Sequence, residues 1–278
     1  ALPISYYNIM VFNSNFTQNN AGMLGGAIIT YQNSFIVACD FINNTADYSG
    51  GAVYTHNNGT VISSNFQNNT AEYGGAVSTD DNAVVAYSNF TFNNAKVSGG
   101  AIYSDNNVMV TDSGLGLNTA KNGAAIMAPR VNVTKTYFIK NFASNEGGAV
   151  YAQNATVNYC VLLHNNGNTS SIAYEGDYCN ANYNWWGNNT PFNGTDYNDL
   201  IYHEINSTSK EYVKADNWVL MTLTVNSTNV TLGDIIKATV DFTHYTDGNN
   251  TYNMTSLIPE MPVKLSSNDE YNSTITKF

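Results

Sequence analysis

The amino-acid sequence predicts an all-β chain: a right-handed parallel β-helix of about 7–8 coils, followed by a smaller, incomplete module of alternating strands. Two observations carry the first part. A large apolar residue with asparagine three positions on, then Gly-Gly-Ala and an aliphatic, recurs about every 24 or 25 residues without loss of register. The segments between are short, rich in β-branched residues and punctuated by Gly, Asn, Asp and Ser, the composition of strand and turn rather than helix. A third observation marks the second part. From Trp218 the repeat stops and apolar and polar residues alternate over Val219–Val225 and Ile235–Phe242.

The rows of the repeat assign each position a place in the coil. The opening apolar residues are Phe16, Phe41, Phe66, Phe90, Leu115, Phe138 and Leu162. Five residues earlier stand Val11, Ile36, Val61, Val85, Val110, Val133 and Val157, all β-branched. A third aliphatic row, Ile28, Val53, Val77, Ile102, Ile126 and Val150, follows the alanines. Three inward rows in about 24 residues make one turn of a parallel β-helix, with coils roughly 4.8 Å apart. The asparagines Asn19, Asn44, Asn69, Asn93, Asn118, Asn141 and Asn165 are then placed to pass amide hydrogen bonds from coil to coil. Asparagine also tolerates left-handed backbone angles, and the glycines allow tight corners at positive φ. The small row Ser14, Cys39, Ser64, Ser88, Ser113, Thr136 and Cys160 falls inside by alternation.

Three segments follow. Residues 1–189 form the repeat domain, closed by Trp186, which occupies the Phe slot of an eighth phrase and caps the stack. Residues 190–217, broken by Pro191 and Gly194, read as a connector, with Tyr197–Ile205 as a short ordered piece within it. Residues 218–278, with a further strand expected at Pro262–Leu265, suggest an immunoglobulin-like β-sandwich. About 60 residues fall short of the roughly 100 of a whole sandwich, so the module is expected to be partial and to leave an edge for self-association.

The paired phrases F-x-x-N and G-G-A-[ILV] resemble the repeats of chlamydial polymorphic outer-membrane proteins. They are also similar to those of adhesin-like surface proteins of methanogenic archaea, as is the closing Asn184-Trp185-Trp186-Gly187. The resemblance covers about residues 7–189 and implies an extracellular adhesin on an archaeal surface. A host or neighbouring-cell glycan or protein would be its partner. The alternative is a self-assembling subunit of a surface filament or layer.

Composition agrees with an extracellular place. Charged residues are 11 % and the formal net charge is −11, which argues against nucleic acid and against attraction to anionic lipid. No apolar run is long enough to span a membrane. The chain is expected to be an excised or mature piece whose anchor lies elsewhere. Sequons abound, and the turn positions Asn43, Asn58, Asn68, Asn154, Asn168, Asn193, Asn226 and Asn249 are the glycosylation candidates. Cys39 and Cys160 share one inward row five coils apart and cannot bridge, while a Cys160–Cys179 pair stays open.

No motif of catalysis is present. The four histidines lack metal spacing, and there is no nucleophile elbow or phosphate loop, so a non-enzymatic protein without cofactor is expected. A polysaccharide-active enzyme is the remote alternative. Asp80, Asp81 and Asp105 fall in the turn after the Gly-Gly-Ala strand, one coil before Arg130. They read as solvated turn residues with one salt bridge, or as a calcium site at Asp80 and Asp105. For ligand binding, alternation places the alanine row on the outside as an apolar shelf edged by Tyr54, Tyr103 and Tyr151. Trp185, pointing away from Trp186, is a further sugar-stacking candidate.

Overall fold

The computed structural model describes residues 4–167, 170–192, 200–203, 213–227, 229 and 237–261. These form an all-β chain whose first part is the parallel β-helix. A representative coil runs through Val53–Thr55, Gly59–Ile62, Asn65–Gln67 and Thr70–Tyr73. Each strand pairs in parallel with its equivalents one coil away. The Phe strands build a seven-stranded sheet, and the strands after the asparagines a six-stranded one.

Register explains the core. Phe16, Phe41, Phe66 and Phe90 are direct partners, and their rings stack at 4.9, 4.6 and 4.6 Å with interplanar angles of 5°, 7° and 1°. Phe41, Phe66, Phe90 and Phe138 are fully buried, each worth about 1.5–3 kcal/mol of transfer free energy.

The asparagine row is buried too, and its hydrogen bonds are continuous. Asn44 Nδ2 donates to Asn69 Oδ1 (3.0 Å), Asn69 to Asn93 (2.9 Å) and Asn93 to Asn118 (3.0 Å). Each amide oxygen also accepts a backbone N–H, as from Asn44 N to Asn69 (3.0 Å), and each Nδ2 reaches a backbone carbonyl, as from Asn69 to Phe41 O (3.0 Å). A buried amide so completely satisfied closes the corner at little desolvation cost. The serines make a parallel hydroxyl row, with Ser64 N donating to Ser88 Oγ (3.1 Å) and Ser88 N to Ser113 Oγ (3.1 Å).

The left-handed residues are not the buried asparagines. At this corner they are the residues just before them, among them Asn43 (φ 57°), Asn68 (φ 56°), Phe92 (φ 57°) and Leu117 (φ 57°), and a second left-handed series, such as Ala38 (φ 54°) and Ser63 (φ 49°), precedes the small row. The ladder amide must point inward to meet its neighbours, so the bend falls one position earlier, even on Phe92 and Leu117 at a cost of about 1–2 kcal/mol each. In the Gly-Gly pair the two residues do different work. Gly50 turns the chain at φ 67°, whereas a Cβ on Gly51 would lie 2.0 Å from the Gly75 carbonyl oxygen of the next coil.

The alanine row lies inside, not on an outer shelf. Ala27, Ala52, Ala76, Ala101, Ala125 and Ala149 are all 0 % exposed and belong to the main core. Strict alternation fails at this corner. The N–H groups of Ala27 and Ile28 both donate to the Ala52 carbonyl (2.8 and 2.9 Å), a bulge-like pairing that turns two consecutive side chains the same way.

The C-terminal end of the helix extends beyond the expected boundary. Trp185 bridges Val161, which sets Trp186 beside Leu162 in the Phe row, 6 % exposed and edge-on to Phe192 at 5.6 Å. Within the stretch read as a connector, Ile201–His203 and Val213–Lys214 pair in parallel with Ile172–Asn180. They are rungs of a further coil, and Ala215 and Ile201 enter the core. Their sequence lacks both repeat phrases, so only spatial pairing with the coil below makes them strands.

Trp218 continues the stack through a bridge to Asn184, with Val219 N donating to Asn184 O (3.0 Å). The same strand, Trp218–Val225, then opens a three-stranded antiparallel sheet with Ala238–Thr246 and Thr251–Asn253. The second of these is described from Ala238, and residues 235–236 and Pro262–Leu265 lie outside the described residues. One sheet of an immunoglobulin-like module is thus described.

Candidate functional site

Four of the residues singled out in the sequence meet in one cleft. Tyr54, Ser78 and Tyr103 are consecutive partners on the strands after Gly-Gly-Ala. Serine between two tyrosines leaves a gap in the row, and the Ser78 Oγ closes its floor by bonding to Ser49 Oγ at 2.8 Å. Asp80 and Asp105 follow two positions on in their coils, at the same turn. Together with Tyr48 and Tyr73 they line a concavity of about 300 Å³.

Tyr48 and Tyr73 went unnoticed in the sequence. Each stands at the corner before a Gly-Gly pair, a signal that was available, and the corner folds it back over the next strand. Their rings meet edge-on at 5.4 Å, and Tyr73 leans on Tyr103 at 5.3 Å. The result is an aromatic wall facing two carboxylates.

The hydrogen bonds of the cleft are specific. The Tyr54 hydroxyl donates to Asp80 (2.7 Å), and the His56 Nδ1 lies 2.6 Å from Asp80 Oδ2. The Tyr103 hydroxyl donates to Asp105 (2.7 Å). Burial, then the Asp80 carboxylate, pushes the Tyr54 phenol well above the ordinary tyrosine range, and burial with Asp105 does the same to Tyr103. Both phenols therefore stay protonated donors at all physiological pH values.

Two like charges one coil apart are offset here by phenols and an imidazole. Asp80 accepts the Tyr54 phenol, lies against His56 and keeps a third of its side chain exposed, while Asp105 is exposed with one phenol on it. Among the described residues no group of three or more His, Cys, Asp or Glu side chains converges in a way that could hold a metal ion. Arg130 does not join the acids as expected. Its guanidinium donates to Asn106 Oδ1 (3.2 Å) and Asn107 Oδ1 (3.4 Å), because the turn carries it around the corner onto the neighbouring face.

The remaining candidates lie elsewhere. Tyr151 is separated from Tyr103 by Met127 in the row, is 8 % exposed, and bonds through its hydroxyl to Glu175. Trp185 is 5 % exposed and packs in a second core cluster with Val161, Val219 and Ile258, edge-on to Phe242 at 5.2 Å. The C-terminal sheet covers the face that a sugar would need. Of the sequon asparagines, Asn43, Asn58, Asn68, Asn226 and Asn249 are exposed and Asn154 is half-buried, while Asn168 and Asn193 lie outside the described residues. Cys39, Cys160 and Cys179 are free thiols, all buried.

The repeat that builds this site has a known counterpart. The Chlamydia polymorphic membrane protein repeat matches residues 38–56 and 135–153. Each match runs from the turn just before the Phe strand through Gly-Gly-Ala, and the first ends with Tyr54 and His56 of the cleft. The fold and the repeat define a β-helical protein carrying repeats of this type. No curated protein and no solved structure matches the chain.

Proposed function

We propose that this chain is the binding part of an adhesin-like cell-surface protein, and that the Tyr48–Tyr54–Tyr73–Tyr103 cleft docks a glycan of a host or neighbouring cell. The observation that carries the reading is the pairing of aromatic faces with Asp80 and Asp105 in one open concavity. A pyranose ring has apolar C–H faces that stack on tyrosine and hydroxyls that donate to carboxylates. The Chlamydia polymorphic membrane protein repeat supports a place on the cell surface. The Asn184–Gly187 element, which resembles methanogen adhesin-like proteins, supports an archaeal one. The role is binding and not catalysis, with exposed sequons such as Asn43 and Asn68 carrying glycan. Replacing Tyr54 and Tyr103 together with Ser is expected to abolish binding to cells and to a glycan array with circular dichroism unchanged. Full binding by this variant overturns the assignment of the cleft.

A second reading rests on the C-terminal sheet. Residues 221–225 of its first strand are exposed, with Leu223 at 58 % and Val225 at 45 %. Among the described residues this strand pairs within the sheet with Ala238–Thr246 alone. Beyond Met221, whose N–H and C=O are taken by Asn189, this apolar edge is a template for a strand of another copy. Regular fibres in negative-stain micrographs of the native protein would make assembly its primary role.

A further inference from the structure

A second concavity lies on a different face from the tyrosine cleft. It is a groove of about 590 Å³ along the outer side of the strands Asn82–Ala86, Asn107–Thr111, Ile126–Thr134 and Val150–Asn158. Its wall is a row in register with the coils: Asn58, Asn82, Asn107, Arg130, Asn154 and Tyr178 each stand one rung apart. The amides are linked, Asn82 Nδ2 to Asn58 Oδ1 at 2.7 Å and Asn107 Nδ2 to Asn82 Oδ1 at 2.6 Å. Its floor is apolar, with Val84 38 % and Met109 51 % exposed.

Arg130 is the one arginine of a chain with net charge −11, and it interrupts this amide row. Among the described residues it makes no ion pair; its Nη1 spans the side-chain oxygens of Asn106 and Asn107. Asp81 is held one amide away, accepting from Asn106 Nδ2 at 2.9 Å. A second cation lies along the same face, Lys214 Nζ, 5.9 Å from the Tyr178 ring. Every backbone group of these strands is engaged in the ladders above and below, so no peptide strand can be added here. Recognition must run through side chains.

We infer that the groove binds an acidic oligosaccharide of the uronate type. Pyranose rings lie on Val84 and Met109, hydroxyls exchange hydrogen bonds with the amide row, and a ring carboxylate meets the free edge of the Arg130 fork. Rungs roughly 4.8 Å apart are close to the length of one sugar ring, so the row can meet successive residues of a polymer in step. A planar guanidinium matches a carboxylate bidentately, which an amide in the same row cannot do.

The test titrates the full chain with a galacturonic acid hexamer, a galactose hexamer and a polyglutamate peptide. The acidic hexamer is expected to bind, more weakly as salt rises, and the neutral one not to. Arg130→Gln keeps an amide in the row and is expected to lose about tenfold or more in affinity with its melting curve unchanged. Lys214→Gln should lose less, and the Tyr54 and Tyr103 double variant nothing, which separates this groove from the adhesive cleft. No binding of the acidic hexamer, equal binding of the neutral one, or undiminished binding by Arg130→Gln overturns the inference. Polyglutamate binding as tightly as the uronate overturns the assignment to saccharide.

Discussion

The coils of the helix and the C-terminal sheet are both made of short strands, yet they are held together differently. In the coils every inward position meets its own copy a rung away, and Phe66 or Asn69 is wholly buried between identical neighbours. In the sheet the strand Trp218–Val225 has a buried residue at Val219 and runs exposed from Met221 through Val225. Its outer half is held by a side chain standing in for a strand: Asn189 Oδ1 accepts Met221 N at 2.7 Å, and its Nδ2 donates to Met221 O at 2.9 Å. Repetition supplies a core by stacking, since each coil completes the one beneath it. A strand without that repetition depends on a partner sheet for its burial.

The sharpest way to break this comparison is to cut the same kind of group from each region. Phe66→Ala opens a ring-sized cavity between two stacked rings and is expected to cost about 3–5 kcal/mol. Leu223→Ala, at an exposed position, should stay within about 0.5 kcal/mol. Denaturant titration of both variants decides, and equal losses would mean that the outer half of the sheet is buried in solution.

The amide ladder is the next largest effect. Asn69→Ala removes the acceptor of both the Asn44 backbone N–H and its Nδ2, and should cost about 1–3 kcal/mol as a buried donor loses its partner. Native-state hydrogen exchange would show protection lost at Asn44 and kept two coils away. Loss spread evenly along the stack would refute nearest-neighbour coupling.

Thiol chemistry sharpens the contrast further. Burial pushes Cys160 and Cys179 from an ordinary 9.0 up to about 12. A folded pKa above the unfolded one means that this stability is intact below pH 9.0 and is lost as pH climbs toward about 12. Native protein at pH 8 is expected to resist a thiol reagent that labels all three cysteines in urea. Rapid native labelling would place a thiol at the surface.

The smallest effect falls in the hairpin of the C-terminal sheet. Asp247 accepts the N–H groups of Asn249 (2.8 Å) and Asn250 (2.6 Å), and these bonds hold its carboxyl down at about 2. A depressed pKa stabilises the turn above the ordinary 3.8 and withdraws that help as pH falls through about 2. Amide shifts of Asn249 and Asn250 should titrate there while those of the coil asparagines stay fixed. A midpoint near 3.8 would show that the turn is open in solution.

Much of this architecture was legible because a repeat prints its geometry many times over. The period, the three apolar rows, the asparagine row and the Trp186 slot all follow from residue spacing, since each coil must match the next in register. Tyr54, Tyr103, Asp80 and Asp105 were legible as residues, but not as one cleft. That cleft depends on Ser78 being small and on Tyr48 and Tyr73 folding back at the Gly-Gly corners, which only the path of the backbone decides. The same corner turned the alanines inward, because two N–H groups share one carbonyl there and alternation lapses. Ile201–His203 and Val213–Lys214 have no pattern of their own and became strands by docking on a finished coil. Local pattern determines a strand where neighbouring coils repeat it; where the repeat ends, the free energy comes from contacts between residues far apart in the chain, and only the tertiary structure brings those together.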